Sequence, residues 1–494
     1  MKQSFLLRAR KQVWASGLVF ARVDRSPGRL VALCVELWKE LQGMAFLENT
    51  RYRLRSVTPS DQDPSYCQRV EDTFVKALGG SPQWAGRLHM DGSRPWSYFT
   101  VKQKSLIHSV SKPVVKLRPI VSHAVHPLRT ALRRVSRALS LLVTDARKLV
   151  IEARSSHLPM WQLHSGSVEW LGKLDVTRGW WGLVEFDVAD CFLNTPRDAV
   201  LAAVEFWLEK TERRTRRQHE FAISKDGKGG DHRGHPSSVH YWVITSKQLV
   251  DACKWDLSHN VDFEALQVDG STVVLGQYKG LPIGGHLSAA YDELVALWRE
   301  LEFPWPQALS GLPTSRYRDN FFVVVKQEWS PACCEELAGA LSALLMMPVQ
   351  FERSGRRARC LELRLEWRDE HPVRATLAFR TDDDRQGESK DVRTWPEWGD
   401  PRTPGLLNGL LTGLASKVAH YATKGVGGLP VSIRGALRFL AERGYPKKRW
   451  LRPFALELVR LGVPAACLPR GLREILGMRK LIHIGAGEPG MSTD

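Results

Sequence analysis

The chain has 494 residues, of which 43% are hydrophobic and 25% are charged. These proportions are ordinary for a folded protein, so they argue against a disordered chain, and the length is enough for about three domains. The formal net charge of +18 favours a polyanionic partner, most simply nucleic acid, because binding to phosphates releases condensed counterions. A basic but unspecialised surface is the alternative.

The cysteines and the apolar runs indicate the compartment. The eight cysteines include no C-x-x-C pair, which predicts reduced, mostly buried thiols in an intracellular protein, nuclear if the source is a eukaryote. No apolar run approaches the roughly 20 residues of a membrane span, so we expect no membrane partner. The first 23 residues carry five basic residues and no acid. A basic arm of the mature protein is favoured there over an organellar transit peptide.

Strands and helices are predicted in alternation along most of the chain. Residues 1–97 contain a helical pattern over Arg29–Gln42 and carry no functional signal. The predicted strands cover residues 97–101, 114–122, 182–188, 349–352 and 360–367, with a hairpin over 315–326. The predicted helices cover residues 127–150, 197–210, 246–257, 287–302, 331–346, 406–422, 432–443 and 451–461. Residues 211–237 predict a solvated insertion and residues 381–404 a polar linker.

Two aspartates stand where a divalent-metal site is possible. Asp187 ends the predicted strand GLVEFDV, and Asp319 lies at the turn of the predicted hairpin SRYRDNFFVVVK. Nucleotidyl transfer uses two ions about 3.5–4 Å apart, and Mg²⁺ takes one or two carboxylates with water and phosphate. Aspartates on neighbouring strands of one antiparallel sheet meet that need, and we expect helices 197–210 and 287–302 to back the sheet. Each aspartate alone also fits an ordinary strand end or turn.

Several segments, taken in order, resemble the motifs of reverse transcriptases. FDVADCFLNTPRDAV, QYKGLPIGGHLSAAYDE and RYRDNFFVVV are similar to the three central palm motifs, and KPVVKLRPIVS is similar to the fingers motif that precedes them. CLELRLEW and FLAERGYPKKRW resemble the closing palm strands and the thumb. The details are most similar to Penelope-like retroelements, relatives of telomerase, over roughly residues 98–455.

The resemblance implies an α+β, right-hand polymerase fold with fingers, a palm containing an antiparallel sheet, and a helical thumb. Fingers would cover residues 98–175, the palm 176–380, and the linker and thumb 381–480, with an N-terminal extension of unknown role (1–97) and a tail (481–494). The implied function is an RNA-directed DNA polymerase that extends a primer on an RNA template from deoxynucleoside triphosphates, with two Mg²⁺ or Mn²⁺ ions. An RNA-directed RNA polymerase and an inactive, domesticated RNA-binding remnant are the alternatives.

The same resemblance assigns roles to individual residues. Asp187, Asp319 and the carbonyl of Val188 match the metal ligands, and Asp190 matches a residue near the incoming triphosphate. Phe192 matches the aromatic gate that excludes a ribose 2′-hydroxyl, although it also suits a plain core position. The nucleotide-side and template-side matches are Lys116, Arg118, Gln277, Gly280, Gly284 and Gly285. The glycines let a backbone approach a base closely; an ordinary loop before a helix is the alternative.

Asn320 departs from the family pattern, in which a second aspartate follows the first. The resemblance places it in the catalytic hairpin, where its amide keeps an oxygen but lacks a full charge. We therefore expect a weaker hold on the ions and a preference for Mn²⁺, which binds oxygen and nitrogen ligands more strongly than Mg²⁺. The alternative is that this position only shapes the turn, which Asn does as well as Asp.

Overall fold

A computed structural model describes residues 16–23, 30–59, 63, 65–80, 84, 91–102, 117–157, 162–163, 179–215, 220–225, 230–234, 240–266, 271–360, 363–368, 371–377, 403–422 and 428–478. The elements as far as the middle of the chain are β1 (Leu18–Val23), β2 (Leu30–Cys34), α1 (Val35–Gln42), β3 (Tyr52–Leu54), α2 (Tyr66–Ala77), β4 (Trp96–Val101), β5 (Leu117–Ser122), α3 (Arg129–His157), β6 (Gln162–Leu163), β7 (Gly182–Val188), α4 (Cys191–Asn194), α5 (Arg197–Thr215), β8 (Glu220–Ser224), β9 (His232–Arg233), β10 (Tyr241–Thr245) and α6 (Ser246–His259).

The remaining elements are β11 (Asp262–Leu266), β12 (Thr272–Gln277), α7 (Ser288–Glu302), β13 (Thr314–Tyr317), β14 (Asn320–Val325), α8 (Pro331–Leu345), β15 (Val349–Gly355), β16 (Arg357–Cys360), β17 (Leu363–Arg368), β18 (His371–Leu377), α9 (Thr403–Tyr421), α10 (Gly428–Glu442), α11 (Lys447–Arg460) and α12 (Arg470–Ile475). The fold is therefore mixed α+β, as predicted. None of the described helices is long and apolar enough to cross a membrane. All eight cysteines are free thiols and five of them are buried, while the compartment stays a prediction.

Seven described strands form what we call the N-terminal sheet, in the order β2-β1-β4-β11-β12-β3 with β5 on β4. The segment before residue 97 thus supplies three strands of this sheet. The helix predicted over Arg29–Gln42 is wrong in its first part, because Leu30–Cys34 pairs antiparallel with β1, with Phe20 opposite Ala32. The helix begins at Val35, where the Cys34 thiol accepts a hydrogen bond from the Leu37 N–H.

The central sheet has the order β15-β7-β14-β13-β6. Because side chains alternate along a strand, Phe186 and Phe321 point to one face and Leu183 and Phe322 to the other. The first face packs against α7 and α8. The second face packs, at one end of the sheet, against the three-stranded sheet β16-β17-β18.

Helix α5 does not back the central sheet, so that expectation is wrong. Its apolar side chains, Trp207 among them, join a helical core with α3, α6 and α7. The Trp207 indole N–H donates to the Leu294 carbonyl of α7 at 3.0 Å, which holds α5 behind α7. Helix α8 packs against the central sheet beside α7 instead, with Leu337 and Leu341 in the shared core.

Part of the predicted solvated insertion is also buried. Residues 220–224 form β8, which pairs with β9 and β10, and Phe221 and Ile223 are fully buried in the helical core. The charged neighbours hid this apolar run in the sequence. Downstream, the single strand predicted over 360–367 is two strands, because β16 ends at Cys360 and β17 begins at Leu363.

Helices α9 to α12 form a separate C-terminal core, which also includes Leu377 of β18. The Leu377 N–H donates to the Ser432 hydroxyl at 2.9 Å, tying this helical group to the small sheet. Trp450 of α11 is almost completely buried in this core, and its indole N–H donates to the Tyr445 carbonyl at 2.8 Å.

Candidate active site

The two predicted metal-binding aspartates lie at one end of the central sheet, Asp187 on β7 and Asp319 in the turn between β13 and β14. Strands β7 and β14 pair antiparallel, with Asp187 directly opposite Asn320. The Val188 N–H donates to the Asp319 carbonyl at 2.7 Å, so the backbones of the two segments touch there. The strand end and the hairpin turn therefore meet as the sequence predicted.

Strand alternation determines which side of the sheet the site faces. Phe186 and Val188 are buried on the face packed against α7 and α8, so Asp187 lies on the opposite face. The register places Gln350 of β15 and Asn320 of β14 on either side of Asp187. The small sheet packs on this face around Leu183, Phe322 and Val324, while Asp187 and Asp319 are only half-buried.

The hairpin turn presents Asp319 through a left-handed residue. Arg318 has φ of 53°, an uncommon value for a residue with a side chain. The Asn320 amide nitrogen donates to the Asp319 carboxylate at 2.8 Å. Asn320 thus orients the aspartate with its N–H₂ group, a contact that a second aspartate would replace by repulsion.

The loop after β7 adds a second acidic position. Asp190 is left-handed, with φ of 44°, and its half-exposed carboxylate lies 3.4 Å from the Lys102 ammonium. Asp190 also starts the single turn α4, since its carbonyl accepts from the Leu193 and Asn194 N–H groups. Lys102 was not assigned a role from sequence; its only signal was a basic residue directly after a predicted strand.

Helix α4 also lies close to the hairpin. Burial, followed by the charges of Asp292 and Asp319, raises the pKa of the Cys191 thiol well above its ordinary value. Asp319 is therefore near the first residue of α4. The loop after β7 and the turn after β13 line the same end of the sheet.

Phe192 is half-buried, and its ring packs on the edge of the helical core. Its carbonyl accepts a hydrogen bond from the Leu281 N–H at 2.6 Å, which joins α4 to the loop after β12. Phe192 therefore lies on the segment that joins the loop after β7 to the loop after β12. Its effect on sugar choice stays a prediction.

The glycines of the loop after β12 are required by backbone contacts within the chain. Gly280 has φ of 66°, and a Cβ there would lie 2.3 Å from the Leu193 carbonyl oxygen. Gly284 has φ of 111°, and a Cβ there would lie 2.5 Å from the Val121 carbonyl oxygen. A Cβ at Gly285 would meet the Ser288 hydroxyl at 2.5 Å. The loop is thereby pressed against α4 and β5.

Gln277 is buried and forms hydrogen bonds with other residues of the chain. Its side-chain N–H₂ donates to the Lys279 carbonyl at 3.0 Å, and its own carbonyl accepts from Arg197 at 2.9 Å. These contacts fix the start of the loop after β12. Arg118 lies in β5 opposite Thr100 of β4. Thr100 is two residues before Lys102, so Arg118 and Lys102 lie near the same end of these strands. Lys116 lies outside the described residues.

The N-terminal segment also reaches the site, which the sequence did not indicate. The Arg51 guanidinium donates to the Leu193 carbonyl at 3.3 Å and to the Asn194 side-chain oxygen at 3.1 Å. The Arg51 carbonyl accepts from the Tyr278 N–H at 2.9 Å. Arg51 therefore links α4 to the loop after β12, across 142 residues of sequence.

The donor set fits a hard divalent cation that takes its other ligands from substrate. Within the described ranges, no three His, Cys, Asp or Glu side chains are arranged to hold a metal ion. Asp187 and Asp319 are two carboxylates on neighbouring segments, which is the number that Mg²⁺ usually accepts from a protein when phosphates and water complete its shell. The pair is compatible with ions that arrive together with a triphosphate.

Comparison with solved structures finds a similar fold at low sequence identity. A telomerase from Candida albicans, in complex with a TWJ fragment of telomeric RNA, matches 94% of this chain and 71% of its own at 12% identity, with a TM-score of 0.52. Two telomerase structures from Candida tropicalis, one apo and one with a TWJ fragment of telomeric RNA, match at 10% identity with TM-scores of 0.46 and 0.48; they cover 95% and 94% of this chain and 75% and 68% of their own. No family model and no curated protein matches the sequence. The fold is similar to that of the Candida albicans telomerase.

Proposed function

We propose that this protein is an RNA-directed DNA polymerase that extends a primer on an RNA template from deoxynucleoside triphosphates. The observation that carries the proposal is the meeting of Asp187 and Asp319 at the open end of the central sheet, within a telomerase-like fold. The order of the sequence motifs supports a Penelope-like retroelement as its source.

In this proposal the central sheet is the palm, the N-terminal sheet belongs to the fingers, and α9 to α12 form the thumb. Strands β1 to β3 would then be part of the fingers, since they pair within the same sheet. The net charge of +18 supports RNA and primer as partners. The Candida albicans telomerase, which shares the fold, is in complex with RNA.

Each site residue has a defined task in the proposed reaction. Asp187, Asp319 and the Val188 carbonyl would hold two Mg²⁺ or Mn²⁺ ions, which supply charge stabilisation at the attacking and leaving oxygens. Asn320 orients the Asp319 carboxylate. Lys102 and Arg118 would neutralise the triphosphate, with Lys102 exchanging Asp190 for a phosphate oxygen. Phe192 would limit the space at the sugar 2′ position.

Primer extension by the purified chain on an RNA template tests the proposal, with Mg²⁺ and Mn²⁺ in separate reactions. Asp319→Ala should lower extension at least about 1000-fold, because a lost metal ligand removes transition-state stabilisation of several kcal/mol. Primer-template affinity should stay near the native value, since phosphate contacts carry it. Asp198→Ala, at an exposed acid in the first turn of α5, is the control.

An RNA-directed RNA polymerase is the second candidate, favoured by the Asp-Asn pair of the hairpin, Asp319 and Asn320. Incorporation of ribonucleotides in preference to deoxynucleotides by the native protein would select it. RNA binding without extension in either metal would instead select an inactive RNA-binding protein.

A further inference from the structure

A buried ionic cluster lies directly beneath the hairpin that carries Asp319. The Arg316 side chain is 1% exposed, and those of Glu293 and Glu300 on α7 are 8% and 0% exposed. Arg316 donates to the two Glu293 oxygens at 3.0 and 3.2 Å, and to both Glu300 oxygens, one of them at 3.2 Å. One guanidinium therefore bridges two carboxylates that lie on one face of the same helix, about two turns apart.

Burying such a cluster costs free energy, so a gain in stability does not explain why the cluster is there. Removing three charges from water is expensive, and apolar side chains of similar volume are often equally stabilising or more so. Burial would lower the pKa of the Arg316 guanidinium, but the two glutamates together outweigh it and raise the pKa. The guanidinium is thus charged at any working pH. All three of its nitrogens donate hydrogen bonds to the two glutamates.

Arg316 also holds the turn itself. Its Nη1 donates to the Arg318 carbonyl at 3.0 Å, and Arg318 is the left-handed residue immediately before Asp319. On the other side of the turn, the Asp319 carbonyl accepts from the Val188 N–H at 2.7 Å. The peptide groups on both sides of the Asp319 Cα are therefore fixed.

The neighbouring residue on α7 holds the other half of the site. Asp292 accepts hydrogen bonds from the Cys191 thiol at 3.0 Å and the Thr195 hydroxyl at 2.8 Å, so it anchors α4. Asp292 and Glu293 are consecutive in sequence and hold two different segments. Helix α7 is thereby a common support for the loop after β7 and for the hairpin turn.

We propose that Arg316 is a positioning residue that, clamped on Glu293 and Glu300, sets the Asp319 carboxylate at the distance from Asp187 that the metal ions require. The inference rests on the proposed function. It assigns no contact between Arg316 and substrate, because the side chain is enclosed on the helix-packed face of the sheet, away from Asp187.

Arg316→Lys and Arg316→Met test the proposal. Lysine keeps the charge but has no planar fork with which to bridge two carboxylates and a carbonyl. We expect the Mn²⁺ dissociation constant, measured by electron paramagnetic resonance without nucleotide, to rise about 10- to 100-fold in both variants, as for other residues that support metal ligands. In extension assays the half-saturating metal concentration should rise in parallel, while primer-template affinity stays native.

Arg147→Gln is the matched control. Arg147 of α3 donates to the same Glu293 carboxylate at 3.1 Å. Its loss should lower the melting temperature without changing the Mn²⁺ dissociation constant. All variants are compared only where they unfold cooperatively, and Glu300→Gln, which keeps an acceptor oxygen, serves where Arg316→Met does not fold.

The outcomes separate the inference from the proposed function. A lower melting temperature with native Mn²⁺ affinity in Arg316→Lys would overturn the positioning role and reduce the cluster to a structural one. If Arg316→Lys binds Mn²⁺ more weakly and the native protein extends no primer, the positioning role is supported and the polymerase function is rejected. No Mn²⁺ binding by the native protein, either alone or together with a deoxynucleoside triphosphate and primer-template, would overturn both.

Discussion

At the residue scale, the local contact of Asn320 changes the meaning of the sequence pattern. From sequence alone, this residue is a lost charge beside Asp319. In the structure its amide N–H₂ donates to the Asp319 carboxylate. Asn320 therefore has two effects of opposite sign: it attracts ions less than a carboxylate would, and it holds its neighbour in place.

Replacement of this residue decides which effect dominates. Asn320→Asp should raise extension at limiting Mg²⁺, because a second carboxylate strengthens the attraction for the ion, and should change activity less in Mn²⁺. The measurement is the extension rate as a function of each metal concentration. Asn408→Asp, which adds the same charge at an exposed position of α9, is the control. Identical metal curves for native protein and Asn320→Asp would mean that position 320 only shapes the turn.

Phe192 is both a candidate gate and a packed side chain. Phe192→Ala should increase the use of ribonucleotides relative to deoxynucleotides by about tenfold or more, because the space for a 2′-hydroxyl opens. It should also cost about 1–3 kcal/mol of stability through lost packing. Phe206→Ala, at another half-buried aromatic on the same core, should lose stability alone. An unchanged sugar preference in Phe192→Ala would leave Phe192 as core.

At the element scale, the loop after β12 shows how glycine positions follow from neighbouring backbones. The sequence suggested that its glycines admit a base. The structure shows that Gly280 and Gly284 admit Leu193 and Val121 of the same chain, and the approach of a base stays a prediction. The loop can then lie beside a template only as part of a packed unit with α4 and β5.

Gly280→Ala should therefore damage the site through α4. A methyl group 2.3 Å from the Leu193 carbonyl at φ of 66° forces the backbone to move, which we expect to cost about 1–3 kcal/mol of stability. The KM for deoxynucleotides should rise, since α4 carries Phe192. Gly339→Ala, in α8 where the added carbon meets open space, should instead stabilise by about 0.5–1 kcal/mol. A native KM in Gly280→Ala would separate the loop from nucleotide binding.

At the scale of the whole molecule, exposed cations mark a surface for a polyanion. Lys447 and Lys448 are exposed in the first turn of α11, and this first turn contains no acidic residue. Cations at a helix N-terminus oppose the macrodipole, so they do not serve helix stability. The proposed function would give these lysines contact with the phosphates of a primer-template.

Neutralising both lysines tests that interpretation. Lys447→Ala with Lys448→Ala should reduce the slope of log affinity against log salt by about 2, roughly one for each phosphate contact. The extension rate at saturating primer-template should change little. Lys247→Ala with Lys254→Ala, on α6, removes the same charge from residues that pair with Asp251 and Glu205 and should leave the slope unchanged. Equal effects of the two pairs would indicate a general charge effect.

The sequence by itself determined the local parts of the candidate site. The run GLVEFDV is apolar and ends on an acid and a valine, which predicted that Asp187 stands at the end of a buried strand. The Asp-Asn pair predicted the turn between β13 and β14, and the helical periods of 287–302 and 331–346 match α7 and α8. These features depend on neighbours within a few residues, which a local pattern records directly.

The sequence predicted that the strand end with Asp187 meets the hairpin with Asp319, but only the tertiary structure decided which other segments meet. Arg51 reaches α4 across 142 residues, and Arg316 reaches Glu293 and Glu300 on a different element. Pairing of β1 to β3 with the N-terminal sheet, and burial of β8, likewise depend on partners far along the chain. An apolar strand or a charged side chain specifies the kind of partner it needs. Which partner it finds depends on how all the apolar faces pack at once.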